Sequence, residues 1–288
     1  MPLWFVEGDV AANHAWAREG PPSRRELGVC PRSLRNVLAQ FGEASNDLIA
    51  ARALQRRVDR KYMFPKRLLG TVLEGVAADY RVARAGAALV ARYGTIYFDT
   101  PDRQLFEDHR RGRRPRYKVR LRHHRDRQLS FVEVKQRGGC TSKVRLELPF
   151  SAATDAYASA ATWKTPLDIE GARFVDQHCP VHAERLIPVI WVTFSRLTLV
   201  GDRINERVTF DWNVAYGDGE ISDRLPEIVV AEVKQAGPVD TGSAVQILSG
   251  LQMRERTLSK YCLATTRLAS MRAHTVKSCL RLAEGITV

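Results

Sequence analysis

Lys118-Val119-Arg120-Leu121-Arg122 decides the fold. Its even positions are cationic and its odd positions aliphatic. Strand side chains point alternately to opposite faces, so three cations share one face of a single strand. The alternation recurs along the chain. Glu133 and Lys135 oppose Val132 and Val134; Lys143, Arg145 and Glu147 alternate with Val144, Leu146 and Leu148. Arg207, Thr209 and Asp211 alternate with Val208, Phe210 and Trp212, and Glu232 and Lys234 flank Val233. Period-2 patterning predicts strands over 95–98, 116–122, 129–135, 143–148, 189–199, 207–212 and 229–234.

Helical spacing predicts helices over 33–41 and 65–80. The second has Pro65 at its start and Leu68, Leu69, Val72, Leu73 and Val76 along one stripe. The insert from Ala152 to about His182 reads as helical and then irregular around Cys179-Pro180, and helices are expected over 243–254 and 268–283. Residues 1 to about 30, with Gly20-Pro21-Pro22-Ser23, show no periodicity and read as partly disordered. The expected division is an N-terminal extension over 1–50 and one domain with a C-terminal helix over 51–288.

The chain has 288 residues, with 45 Lys and Arg against 32 Asp and Glu, a formal net charge of +13. A polyanionic partner follows, though charge alone does not choose among nucleic acid, a phospholipid surface and small polyphosphates. No run of about 18 apolar residues occurs, and the start lacks a basic segment followed by an apolar core, so neither a membrane span nor a secretory signal is expected. Five cysteines, odd in number and never in C-x-x-C spacing, suit reduced packing residues in a cytoplasm. P-loop, zincin and serine-hydrolase elbow motifs are missing. His178-Cys179-Pro180-Val181-His182 has zinc-binding residue types, but Pro180 breaks the helix that would align the histidines. The basic run Arg110-Arg111-Gly112-Arg113-Arg114-Pro115-Arg116 reads as a tunnel rim or a solvated hairpin loop, and no dedicated nucleic-acid site is expected.

An antiparallel sheet with one solvated face would explain the alternation. Such faces usually mix in Ser, Thr, Gln and Asn, whereas these positions are almost wholly Arg, Lys and Glu. The strands are also numerous enough for a closed barrel of about eight, with the charged faces lining a lumen and helices covering the outside. A lumen crowded with cations needs counter-charge, and a compact polyanion supplies it. Phosphate chains fit, since Arg gives bidentate donors, Lys gives point charges and a carboxylate can hold a bridging divalent ion.

The pattern resembles the VTC-type polyphosphate polymerase domains, within the CYTH-like group of triphosphate tunnel metalloenzymes. The segments that carry it are Arg60-Lys61-Tyr62, Ile96-Tyr97-Phe98-Asp99-Thr100, Lys118 to Arg122, Phe131 to Lys135, Pro188 with Phe194-Ser195-Arg196, Arg207 to Asp211, Ala231 to Lys234 and Ser259-Lys260-Tyr261. The resemblance implies an α+β fold, an antiparallel closed β-barrel forming a triphosphate tunnel with a cation-lined lumen, covered by helices. It also implies a metal-dependent phosphotransferase that builds inorganic polyphosphate from the γ-phosphate of ATP. Lys61, Arg120, Arg122 and Lys260 would be catalytic, and Lys118, Lys135, Lys143, Arg196, Arg207 and Lys234 would bind substrate. Glu232 would bind Mn²⁺ or Mg²⁺, and Glu133 would orient Lys135. Nucleoside triphosphate and polyphosphate are the implied partners, with a membrane-protein partner left open.

Hydrolytic relatives open with E-x-E-x-K, where this chain has Arg57-x-Asp59-x-Lys61, a departure that points away from a triphosphatase. Phe194 and His123 stand where tyrosine is common in the family. A triphosphatase and a non-catalytic polyphosphate or nucleotide binding module remain the alternatives.

Overall fold

A computed structural model describes residues 32–53, 57–139, 141–150, 164–236 and 243–284; the side chains of 32, 33 and 274–284 are not among them. The expected N-terminal disorder and the helix expected after Ala152 fall on residues 1–31 and 151–163, outside the described residues. The elements are α1 (Arg32–Leu38), α2 (Asn46–Ala51), β1 (Val58–Pro65), α3 (Leu69–Val76), β2 (Tyr80–Val82), β3 (Val90–Asp99), α4 (Gln104–Arg110), β4 (Arg116–His124), β5 (Leu129–Arg137), β6 (Thr141–Pro149), α5 (Ile169–His178), β7 (Ile187–Gly201), β8 (Glu206–Gly217), β9 (Ser222–Leu225), β10 (Ile228–Gln235), α6 (Ser243–Gly250) and α7 (Lys260–Glu284). The fold is mixed α and β around one large antiparallel sheet. Its hydrogen-bonded order is β1-β10-β8-β7-β3-β4-β5-β6, with β2 pairing on β7 and β9 on β8.

All seven expected strands form, most of them longer than the alternation suggested. Alternation also fixes which face is apolar. Tyr62, Phe64, Leu197, Leu199, Val208, Phe210, Val229, Ala231 and Val233 face outward and bury against α1, α3 and α6. Leu69, Val72, Leu73 and Val76 form the buried stripe of α3. The outer faces of β3 to β6 bury Ile96, Val119, Leu121, Val132 and Val134, with Val175 of α5 and Leu105 of α4 against them. On the inner face, Tyr261, Ala264 and Leu268 of α7 pack on Tyr97, Ile190, Val192, Val214 and Tyr216 and fill one end.

Closure into a hydrogen-bonded barrel is not found: β1 and β6 end the strand order and do not pair. The free edge of β1 is taken by the segment before α7 instead. Tyr62 bridges Glu255, and the Arg256 N–H donates to the Lys61 carbonyl at 2.7 Å. With those backbone groups satisfied, β6 has no partner there. The sheet nevertheless curls so that its charged faces meet. Lys135 on β5 lies in the fields of Glu232, Lys61 and Asp59 from β10 and β1, strands far from it in the pairing order.

Candidate functional site: a cationic lumen ordered by three carboxylates

The inner face gathers cations from eight elements: Lys61 of β1, Lys118, Arg120 and Arg122 of β4, Lys135 of β5, Lys143 of β6, Arg196 of β7, Arg207 of β8, Lys234 of β10 and Lys260 of α7. Three carboxylates organise them. Glu133, buried on β5, accepts from Arg120 Nε at 2.6 Å and Lys143 Nζ at 2.8 Å, with Arg122 Nη1 at 3.8 Å. Asp211, buried on β8, accepts from Arg196 Nε at 2.6 Å and Nη2 at 2.7 Å, and from Lys260 Nζ. Glu232 lies 3.3 Å from Lys61 Nζ and 3.6 Å from Lys234 Nζ. Glu133 therefore holds Arg120 and Lys143 rather than orienting Lys135. Arg120 is its direct partner on β4 and Lys143 the diagonal one on β6, while Lys135, one same-face step along β5, lies among Glu232, Lys61 and Asp59.

Burial pushes Glu133 upward, but Arg120, Arg122 and Lys143 outweigh it and hold the carboxyl well below its usual range. Glu232 behaves alike: burial opposes, and Lys234 and Lys61 win. Burial disfavours the charge on Arg196 too, and Asp211 more than restores it. These carboxylates keep their guanidinium partners ionised and aimed before any ligand arrives, the preorganisation that electrostatic stabilisation requires.

The remaining lysines show surplus positive charge. Burial lowers Lys118 to about 7, with Lys135, Arg120 and Lys61 adding repulsion, and its Nζ donates to Ser259 Oγ at 2.8 Å. Burial lowers Lys234 to about 8 against the pull of Glu232. His109 beside the same cations is driven to about 3, first by burial and then by Lys118 and Arg116. Lys118 and Lys135 stand directly opposite each other across β4 and β5, as do Arg116 and Arg137, and facing like charges cost stability. An inner face built this way carries surplus positive charge.

For a divalent ion, Glu232 is the inner-face carboxylate whose cation contacts are longest, and Asp59 acts on the same Lys135 and Lys234. No group of three or more His, Cys, Asp or Glu gathers among the described residues. The donors fit Mg²⁺ or Mn²⁺ held by one or two carboxylates with substrate oxygens and water completing the shell, and do not form an all-protein cage.

Three inner residues escaped the sequence reading of the site. Asp211 was visible as the last member of an alternating run, yet nothing in sequence says that it meets Lys260. Tyr93 and His124 continue the inner faces of β3 and β4. His123, noted for standing where tyrosine is common, points the other way: it is fully buried, with Nδ1 2.8 Å from Ser130 Oγ. Phe194 is an inner residue, 4.7 Å beneath Lys260 Nζ and stacked on Tyr93. His178 and His182 assemble no site; the first bonds the Phe174 carbonyl and the second lies 3.6 Å from Asp176. The basic run after α4 is partly neutralised, with Arg110 and Arg111 on Glu107 and Arg113 on Asp108. Cys179 and Cys262 are free thiols. No helix among the described residues is long and apolar enough to cross a membrane.

Several solved structures align with about seven tenths of this chain. A protein of Bacillus halodurans named as a candidate adenylate cyclase is 14% identical, with 70% of this chain and 93% of that one covered at a TM-score of 0.44. The PH1819 protein of Pyrococcus horikoshii is 13% identical, with 74% and 99% covered at 0.43. A candidate adenylyl cyclase of Hippeastrum, described as having a dominant triphosphatase activity, is 9% identical, with 73% and 96% covered at 0.42. A search of the curated proteins finds no match. The decisive comparison is with the family model of the VTC domain, which matches residues 56–269, from the start of β1 into α7, and so spans every inner-face cation named above. The chain belongs to the VTC domain family.

Proposed function

We infer that this protein is a metal-dependent phosphotransferase that moves the γ-phosphate of a nucleoside triphosphate onto the end of a polyphosphate chain. The observation that carries this reading is the convergence of Lys61, Arg120, Arg122, Lys135, Arg196, Lys234 and Lys260 on one inner face, with Glu133 and Asp211 presetting the guanidiniums. Phosphoryl transfer asks for positioning and charge neutralisation and needs no protein nucleophile.

In the proposed step, a terminal phosphate oxygen of the acceptor bonds to the γ-phosphorus while the bond from that phosphorus to the β,γ-bridging oxygen breaks. The bridging oxygen leaves with the nucleoside diphosphate, and no proton need move. Arg120, Arg122 and Arg196 hold non-bridging oxygens in line; Lys260 and Lys61, from opposite ends of the domain sequence, neutralise charge beside Glu232. Glu232 would hold Mn²⁺ or Mg²⁺, which supplies further neutralisation of phosphate oxygens when bound. Lys118, Lys143 and Arg207 extend the phosphate track. The cytoplasm, where nucleoside triphosphate is plentiful, is the proposed setting.

Arg57 favours transfer over hydrolysis. It occupies the position where hydrolytic relatives have a carboxylate, and its Nε donates to Asp59 at 2.8 Å, tying up the neighbouring carboxylate as well. The test is incubation with ATP and Mn²⁺, resolving long-chain polyphosphate, orthophosphate and ADP together, with Glu232→Ala as control. Polymer with matching ADP, lost in the variant, is expected. Orthophosphate alone would make it a triphosphatase, and tight polyphosphate binding without turnover would make it a binding module.

A further inference from the structure

Beside its charges the lumen carries a run of aromatic rings. Phe194 of β7 and Tyr93 of β3 stack at 5.1 Å with an interplanar angle of 4°. Tyr93 meets His124 of β4 edge to face at 4.6 Å, and His124 meets Phe131 of β5 at 5.2 Å. The Arg145 guanidinium of β6 lies 4.8 Å over Phe131. Rings from four successive strands thus line one level of the lumen, beside the first turn of α7, whose Lys260 lies over Phe194. Arg207, Arg127 and Arg57 frame that level together with Tyr93.

Packing explains Phe194 and Phe131, which are buried. Tyr93 is covered by Phe194 on its face and by the Arg122 and Arg196 guanidiniums; its direct cross-strand partner His124 meets only ring edges at Tyr93 and Phe131 and remains partly exposed. The ring nitrogens of His124 make no hydrogen bond with the described residues. Burial, then Arg122, drive its pKa down to about 3, so the imidazole is uncharged. The Tyr93 and Phe194 faces seat the Arg122, Arg196 and Lys260 cations; the uncharged His124 ring gives a phosphate chain nothing, because the negative face of an aromatic ring repels anions. A flat, uncharged group with hydrogen-bonding edges can stack on it, provided it is joined to the phosphates by a short connector. His124 follows Arg122 by two residues on the same strand face, about 7 Å away, a separation that a ribose bridges.

We propose that His124, flanked by Tyr93, Phe131 and Arg145, forms a stacking subsite for the purine base of the nucleoside triphosphate whose phosphates lie on Arg122, Arg196 and Lys260. This rests on the phosphate-tunnel reading and adds to it that the donor is held at both ends. Stacking on a π-surface tolerates different bases, so ATP and GTP bind alike and both exceed pyrimidine triphosphates.

The experiment compares ATP with inorganic tripolyphosphate by calorimetric titration of the full chain, wild type, His124→Ala and His124→Phe. His124→Ala is expected to weaken ATP about 10-fold and leave tripolyphosphate unchanged, with His124→Phe restoring ATP affinity. Equal weakening of both ligands, or of neither, would overturn the subsite while leaving the tunnel reading intact. A wild-type protein that binds neither would overturn both. Should His124→Ala not fold, 2-aminopurine riboside triphosphate on wild-type protein decides: stacking quenches its fluorescence, and binding without quenching refutes the subsite.

Discussion

Lys118 and Lys234 keep their protons in the folded, ligand-free protein only up to about 7 and about 8, mainly because they are buried. In the unfolded chain they keep them to the usual 10.5. Between these values the unfolded state binds more protons, so these two groups make the ligand-free fold more stable as pH rises from about 7 toward 10. Anion binding has the opposite sign. A phosphate chain favours the protonated amines, so tripolyphosphate affinity falls as pH climbs through 7 to 9, and binding takes up protons. Calorimetry in buffers of different ionisation enthalpy reads that uptake, and proton release would refute it. Lys118→Met should raise the melting temperature of the ligand-free protein at pH 7 while weakening tripolyphosphate about 10-fold or more; a lower melting temperature would show that the Ser259 bond matters more than the burial cost. Lys260→Ala and Arg120→Ala should each abolish product, on the order of 100-fold or more, without unfolding. Asp211 keeps Arg196, and Glu133 keeps Lys143, after either loss. Full activity in both variants would sink the proposed function.

Among the elements, α7 and the strands beneath it decide how the site is built. Periodicity places this helix over 268–283, but it starts at Lys260, because its first turn is fixed by contacts that no helical stripe encodes. Tyr261 donates its hydroxyl to Asp99, whose carboxylate also accepts from the amides of Thr100, Leu105 and Phe106. That buried anchor sets the angle at which Lys260 enters the lumen. Tyr261→Phe is therefore expected to lower turnover severalfold and speed amide exchange over 260–264; wild-type exchange in this variant would refute the anchor. On β8, Asn213 takes φ of 51° at a register shift against β7. The bulge switches the inner face from Arg207, Thr209 and Asp211 to Val214 and Tyr216, so one strand serves the charged lumen and then the apolar seat of α7. Alternation read along the sequence stops at Trp212 for this reason.

For the whole molecule, a net charge of +13 concentrated partly inside a curled sheet makes the ligand-free state bear repulsion that a ligand relieves. Tripolyphosphate at 100 times its Kd should stabilise by about 2.7 kcal/mol, raising the melting temperature by roughly 5–10 °C for a chain of this size. Orthophosphate, which reaches fewer cations, should do much less. The shift should shrink steeply with added salt, as expected for many simultaneous ion contacts. A tripolyphosphate shift equal to that of orthophosphate would show that the inner cations do not act together.

Local pattern determined much of this protein. The strand alternation of Lys118 to Arg122, Lys143 to Leu148 and Arg207 to Trp212 assigned each residue to an inner charged face or an outer apolar one, because strand geometry has a period of two whatever the rest of the chain does. The α3 stripe was legible for the equivalent helical reason. β1 was not read as a strand: only Asp59 and Lys61, seen as a motif fragment, hinted at it, and its alternation is blurred by Arg60 on the apolar side. The tertiary structure alone decided which charges meet. Glu133 with Arg120 and Lys143, Asp211 with Lys260 and Glu232 with Lys61 join residues up to 171 positions apart. Such pairings depend on register, on one bulge and on the curl of the sheet. The same holds for the unclosed barrel: whether β1 accepts β6 or the 255–256 segment depends on which reaches its edge first in space, and sequence periodicity carries no such distance.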